Sequence, residues 1–306
     1  MKPRRDSHRS EILIVVLVGL IMSLGNAVWA FLLSISETLN GNFALVSLFI
    51  SLGLLPLVFF MLLTKREKIG FDAYAAFTGV LYGISNIVLL SIFSYRNSAV
   101  VYSLISPTVL VFIVLEVIVN RSKIKKGNRL KLLAGGGLAG FGFILLSLNG
   151  LNFSLINTYD IAISVILIVL YGAAGFFYTQ TGLRTKRKYN SILNITAFEI
   201  FTSMFFLSFY HSTLHVSGLP IAFLAGLVVS IGVVISFIEY GHIKEGAHAI
   251  SYSSIIYVVL SEMETLFLLL FYSIFVGILN PFVIVSVLII AAAVWYLSRE
   301  SNAAFD

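Results

Sequence analysis

The chain alternates long apolar runs with short polar breaks from one end to the other. Runs of spanning length recur at about residues 12–35, 42–64, 71–95, 98–119, 130–148, 158–181, 191–210, 219–241, 247–275 and 281–298. Crossing the hydrocarbon core of a bilayer takes about 20 apolar residues of helix. Lipid offers no partner for backbone N–H and C=O groups, so each run must close its own hydrogen bonds as a helix; the alternating segments of a membrane barrel are absent. The pattern predicts an all-α integral membrane protein with ten transmembrane helices. The connections are short, and none between helices has room for a soluble domain. The basic stretch Met1–Arg9 leads into a first run too long for the apolar core of a signal peptide, so that run is expected to stay as a helix.

Orientation follows from the lysines and arginines, which gather in alternate breaks. With the amino terminus in the cytoplasm, the cytoplasmic segments hold Lys2, Arg4, Arg5 and Arg9; Lys65, Arg66 and Lys68; Arg121, Lys123, Lys125, Lys126, Arg129 and Lys131; Arg184, Lys186, Arg187 and Lys188; then Lys244 and Arg299. Arg96 alone falls outside. The positive-inside rule is then obeyed for ten helices with both termini cytoplasmic. A miscounted helix would move every later cluster to the wrong side.

The two halves also resemble each other at a spacing near one half of the chain. Gly25-Asn26-Ala27 matches Gly172-Ala173-Ala174, Gly79-Val80-Leu81 matches Gly226-Leu227-Val228, and Tyr102-Ser103 matches Tyr252-Ser253. Five helices per copy is an odd number, so the second copy must run inverted. The expected division is residues 1–150 as a first five-helix repeat with the basic amino terminus, and 151–306 as a second, inverted repeat. Inverted repeats meeting near the midplane are a common construction of secondary transporters.

Composition narrows the class further. Of the 306 residues, 59% are hydrophobic and 11% charged, against about a quarter charged in soluble proteins. The net charge of +6 sits in the breaks between helices, so it reads as topology, and no nucleic-acid partner is expected. No cysteine is present, which removes thiolate metal sites and thiol nucleophiles. Neither His-Glu-x-x-His nor Gly-x-Ser-x-Gly occurs, and no Walker-type phosphate loop is present, so neither an enzyme nor direct ATP drive is expected. No cofactor or metal is expected.

Ionisable groups inside a membrane are costly and are functional candidates by default. Glu264 shares an arc of the ninth helix with Ser254, Tyr257 and Ser261, a polar stripe that forms either a cavity wall or an interhelical hydrogen-bond seam. Glu262 points nearly the opposite way and is expected to pair with another helix. Glu199 lies between Thr196 and Ser203 on one face of the seventh helix, where cavity lining and helix packing both fit. Glu239 has His242 one turn on, a pair suited to exchanging protons, or one that reaches the interface and Lys244. Proton coupling, if present, is assigned to Glu239, His242 and Glu264. Glu116 is expected to be an interfacial ion-pair partner of Arg121 and Lys123. Ser23, Asn26, Ser85 and Asn86, with Trp29 and Tyr82 beside them, make a polar and aromatic patch on the first and third helices, suited to ligand binding or to packing. Pro107 in mid-helix removes a backbone hydrogen bond and is expected to kink the fourth helix as a hinge.

Leu24-Gly25-Asn26-Ala27-Val28-Trp29 in the first helix, and Tyr95-Arg96-Asn97-Ser98-Ala99 running on to Ser106-Pro107 and a basic loop, resemble the drug/metabolite transporter superfamily, specifically its ten-helix EamA-type members. The chain departs from that pattern at Asn120, where a glutamate is frequent, and at Ile256 and Tyr257, where the second repeat lacks the matching proline. The resemblance implies a central cavity lined by the first, third, fourth, sixth, eighth and ninth helices, and so points to Asn26, Trp29, Asn86, Tyr102, Tyr171 and Tyr257. Together with the midplane groups, the expected substrate-binding set is Asn26, Trp29, Tyr82, Asn86, Tyr102, Tyr171, Glu199, Ser254, Tyr257, Ser261 and Glu264. The expected function is a secondary transporter of a small metabolite, amino acid or amphiphilic compound, working by alternating access as an exporter in the plasma or inner membrane. The alternatives are a membrane enzyme and a non-transporting receptor or assembly subunit. The expected partners are a small-molecule substrate and the lipid bilayer; a proton or other coupling ion and a homo-oligomer are left open.

Overall fold

The computed structural model describes residues 4–93, 98–121, 124, 126–150, 157–209, 215–240, 259, 263–264, 266–268 and 281–303; the side chains of 4–15, 99, 147–150, 239–240, 281–283 and 301–303 are not described. It is all-α, with no strand among the described residues. The helices are α1 (Arg4–Asn40), α2 (Phe43–Lys65), α3 (Ala73–Leu90), α4 (Ser98–Ile105), α5 (Thr108–Val119), α6 (Lys126–Gly150), α7 (Thr158–Arg184), α8 (Lys188–Phe209), α9 (Leu219–Tyr240) and α10 (Pro281–Ala303). Among the described residues, 8 spans are long and apolar enough to cross a membrane, and one of these, Val100–Val119, runs through α4 and α5. The protein is multi-pass by this measure. Most of the expected ninth helix, 247–275, lies outside the described residues.

Helix ends follow local chemistry more than hydropathy. Gly41, with φ +67, ends α1, and the Asn42 side chain caps α2 by accepting from the Leu45 N–H at 3.1 Å. Asp72 caps α3 through the N–H groups of Tyr74 and Ala75, and Asn157 and Asp160 form a capping box at the start of α7. The third apolar run was expected to stay helical to residue 95. Instead α3 ends at Leu90, and Ser91, Ile92 and Phe93 turn back onto the carbonyls of Ile87, Leu89 and Leu90. Conversely, α1 and α6 begin earlier than their apolar runs, because a helix continues into polar residues wherever water can solvate its side chains.

The expected kink at Pro107 is a full break between α4 and α5. Proline has no N–H to give the carbonyl four residues back, Ser103, and the Ser106 hydroxyl donates to that carbonyl at 2.7 Å instead. The Thr108 hydroxyl donates to the Ile105 carbonyl at the same distance. The break therefore leaves these two carbonyls satisfied.

Four helices form the centre: α2 packs on α8 and α9, and α3 packs on α7 and α8. Outside them α1 lies along α9, α5 along α7, and α6 against α4, α5 and α10. Glycines set the closest approaches. A Cβ on Gly226 of α9 would strike the Ile50 carbonyl of α2, and one on Gly53 of α2 the Phe223 carbonyl of α9. Likewise a Cβ on Gly79 of α3 would strike the Ile195 carbonyl of α8. Small residues that let backbones approach are how helices associate in lipid, where there is no hydrophobic drive between them.

Candidate functional site

The central helices enclose a cavity of about 190 Å³, on the order of six waters. Trp29 and Asn26 reach it from α1, Tyr82 and Asn86 from α3, and Tyr102 from α4. Tyr171 enters from α7, Glu199 from α8, and Glu264 completes the wall. These eight residues, drawn from widely separated stretches of sequence, are brought together. Ser254, Tyr257, Ser261 and His242 lie outside the described residues, as do Glu262 and the side chain of Glu239. Pro107 sits between Ile105 and Thr108, both of which line the cavity.

Each acid is nearly buried and tied to a neutral donor. Glu264 is 8% exposed and hydrogen-bonded to the Asn26 side chain. Glu199 is 6% exposed and accepts from the Ser51 hydroxyl at 3.4 Å. Ser51 also reaches the Ser47 carbonyl at 3.1 Å, and Ser47 meets Ser203 hydroxyl to hydroxyl at 2.9 Å. Stepping four residues forward on α2 moves the partner four residues back on α8, so these two helices run antiparallel across the seam.

The remaining wall is aromatic. Trp29 stands edge-on to Tyr102, with ring centroids 6.3 Å apart. Across from this pair, Tyr82 contacts both Tyr171 at 6.3 Å and Tyr178 at 5.9 Å. The Tyr171 hydroxyl donates to Asn86 Oδ1 at 2.8 Å, which fixes both side chains, and Tyr178 pairs with Ser236 at 2.5 Å. Ser23 Oγ and Trp29 Nε1 have no hydrogen-bond partner among the described residues. No Lys, Arg or His lines the cavity among the described residues, and no group of three or more His, Asp or Glu that could hold a metal is found among them.

Sequence reasoning missed part of the lining. Tyr178 falls seven residues after Tyr171 and three after Gly175, on one helical face, so that stripe was legible from the 3.6-residue period. The contributions of Ile50 and Leu54 from α2 and of Val229 and Val233 from α9 carry no such signal, being apolar residues on apolar helices.

Glu116 corrects the expectation made for it. It is fully buried, and its two oxygens accept from Asn120 Nδ2 at 2.9 Å and from Gln180 Nε2 at 3.2 Å. It therefore ties the end of α5 to the end of α7, and is not a solvated partner for the basic loop. Glu37, near the end of α1, was not singled out by the sequence; it is 9% exposed, and its Oε2 has no hydrogen-bond partner among the described residues.

No family model matches the chain, and no curated protein matches it. Solved structures do match: 14 chains are similar. One, described only as "Crystal structure of protein", superimposes with a TM-score of 0.65 over 94% of this chain and 98% of its own, at 13% identity. At that identity the likeness concerns the fold alone.

Proposed function

We propose that this chain is a secondary transporter that moves a small metabolite, amino acid or amphiphilic compound across the cell membrane by alternating access, in the manner of the EamA-type transporters it resembles. The observation that carries the reading is the cavity. Its walls come from helices on both sides of residue 150, and it holds two carboxyl groups away from bulk water. Intramembrane acids are retained where they bind something.

The packing supports two inverted five-helix repeats. Exchanging the halves maps α1 onto α7, α2 onto α8 and α3 onto α9. The contact of α3 with α8 then becomes that of α9 with α2, and α3 with α7 becomes α9 with α1; all four pairs occur. The tight glycines obey the same exchange, Gly79 on Ile195 and Gly226 on Ile50. Ser51 and Glu199 are 148 residues apart, one repeat, and they bond to each other. Residues lying on an axis that relates two halves must meet in this way.

The contacts also support ten helices with cytoplasmic termini. At one end Glu67 accepts from the N–H groups of Tyr189 and Asn190, Asn190 accepts from the Gly70 N–H, and Lys131 pairs with Glu300 at 2.6 Å. These are all segments that charge assigns to the cytoplasm. At the other end Ser36 donates to the Gly218 carbonyl at 2.8 Å and Asn40 to the carbonyls of His215 and Ser217. Charge assigns both of those segments outside.

Counterflow in proteoliposomes of purified protein, with a panel of labelled amino acids, amines and amphiphiles, tests the proposal. Accumulation of at least one solute against preloaded unlabelled solute is expected. Binding without flux would favour a receptor, and chemical conversion of the solute an enzyme. A pH gradient imposed in the same vesicles reads out proton coupling.

A further inference from the structure

The sequence places no Lys or Arg anywhere in 10–64, 69–95, 97–120, 132–183, 189–243 or 245–298. Those stretches contain every residue that lines the cavity. Whatever conformation the helices adopt, no cationic side chain is rooted at the midplane to meet an anionic group. Two carboxyl groups are there, Glu199 and Glu264, with the rings of Trp29, Tyr82, Tyr102 and Tyr171 around the same space.

We propose that the cavity selects small organic cations, amines without a carboxylate, by setting their charge against Glu199 or Glu264 inside an aromatic box. A cation near an aromatic face is drawn to the negative face of the ring, more strongly when water is excluded. A carboxylate or phosphate in the same space would be buried among like charges with no compensating cation, the costliest arrangement available to it. The break at Pro107 does not supply one. It brings the carbonyl end of α4 and the amide end of α5 to the wall together, at Ile105 and Thr108, and these partial charges of opposite sign offset each other. An amino acid, being a zwitterion, satisfies only half of its charge here. This inference rests on the reading of the cavity as a solute site and narrows its substrate class.

The test uses four probes of one shape that differ in charge: benzylammonium, benzyl alcohol, benzoate and phenylalanine. The chain has two tryptophans, and Trp295 is 63% exposed on α10, so a Trp295→Phe background leaves Trp29 as the fluorophore that reports on the cavity. Full-length protein in detergent is titrated at neutral pH, and the same probes are then used in counterflow. Benzylammonium is expected to bind more tightly than benzyl alcohol by about tenfold or more, with benzoate and phenylalanine weaker still. E199Q or E264Q is expected to bring benzylammonium down to the alcohol's affinity.

Equal or tighter binding of benzoate or phenylalanine overturns the inference, as does failure of all four probes to bind. Amine binding that persists in the E199Q/E264Q double variant overturns it too. The charge series on protein with both acids intact stands even where a variant fails to fold. Counterflow separates the two claims: amine binding without flux sinks transport and keeps the cation site, whereas flux of phenylalanine or benzoate keeps transport and sinks the cation site.

Discussion

Three buried glutamates that look alike in the sequence do different work. Glu264 and Glu199 face the cavity, each held by a single neutral donor, so each retains oxygen capacity for a ligand. Glu116 instead accepts from one amide per oxygen. Glu264→Gln is expected to lower counterflow by tenfold or more, on the order of the loss of one charge-assisted contact, while the protein still inserts and elutes as a single species on gel filtration. Unchanged flux would remove Glu264 from the site. Glu116→Gln should do the reverse. Its new amide would face the Asn120 or Gln180 amide, donor against donor, at a cost of about 1–3 kcal/mol. A lowered thermal midpoint in detergent is expected, and an unshifted one would show that the cluster tolerates the clash. Asn120, four residues on, was within reach of sequence reasoning. Gln180 was not, because nothing local announces a partner on another helix.

At the level of helices, the packing depends on a few hydrogen atoms. Gly226→Ala and Gly79→Ala each push a methyl group into a backbone carbonyl of the facing helix, which cannot swing aside as a side chain can. Each is expected to lower stability by about 1–3 kcal/mol, read as a lower melting midpoint. Gly25→Ala is the control, because a Cβ there meets nothing within 4 Å; its midpoint should not fall. The matched triplets that begin at Gly79 and Gly226 thus have a structural reason, the two glycines touching equivalent helices, whereas Gly25 has none in this conformation. Helix positions were largely legible because lipid demands a minimum apolar length. Their ends were not, being decided by caps such as Asp72 and by the early turn at Ser91.

For the whole molecule, topology is the claim on which alternating access depends. Reporter fusions at Ser122 and Arg187 are expected to report the cytoplasm, and fusions at Asn152 and Ser217 the exterior. One reporter on the opposite side breaks the ten-helix inverted arrangement. The structure adds a reason to expect this result. The loop 66–72 meets the start of α8 at one end, through Glu67, Gly70 and Asp72, and the segment 215–218 meets the end of α1 at the other. Opening the cavity to one side requires parting one of these polar contacts while the other holds.

The sequence by itself determined that this is an all-α, multi-pass membrane protein, and it picked out the acids and aromatics worth weighing. Both follow from one-dimensional rules: the bilayer sets the length of apolar runs, and charge is too costly at the midplane to occur without a use. Only the tertiary structure decided which of those residues share a space. Glu199 could have lined a cavity or glued two helices. It does both, reaching Ser51 across the seam while facing the cavity, because α2 and α8 cross at that point. Glu116 left the interface for a buried amide cluster because α7 brings Gln180 alongside it. Such contacts join residues 64 or 148 positions apart. Periodicity along a single helix carries no information about them, since it tells which residues share a face and not which helix that face will meet.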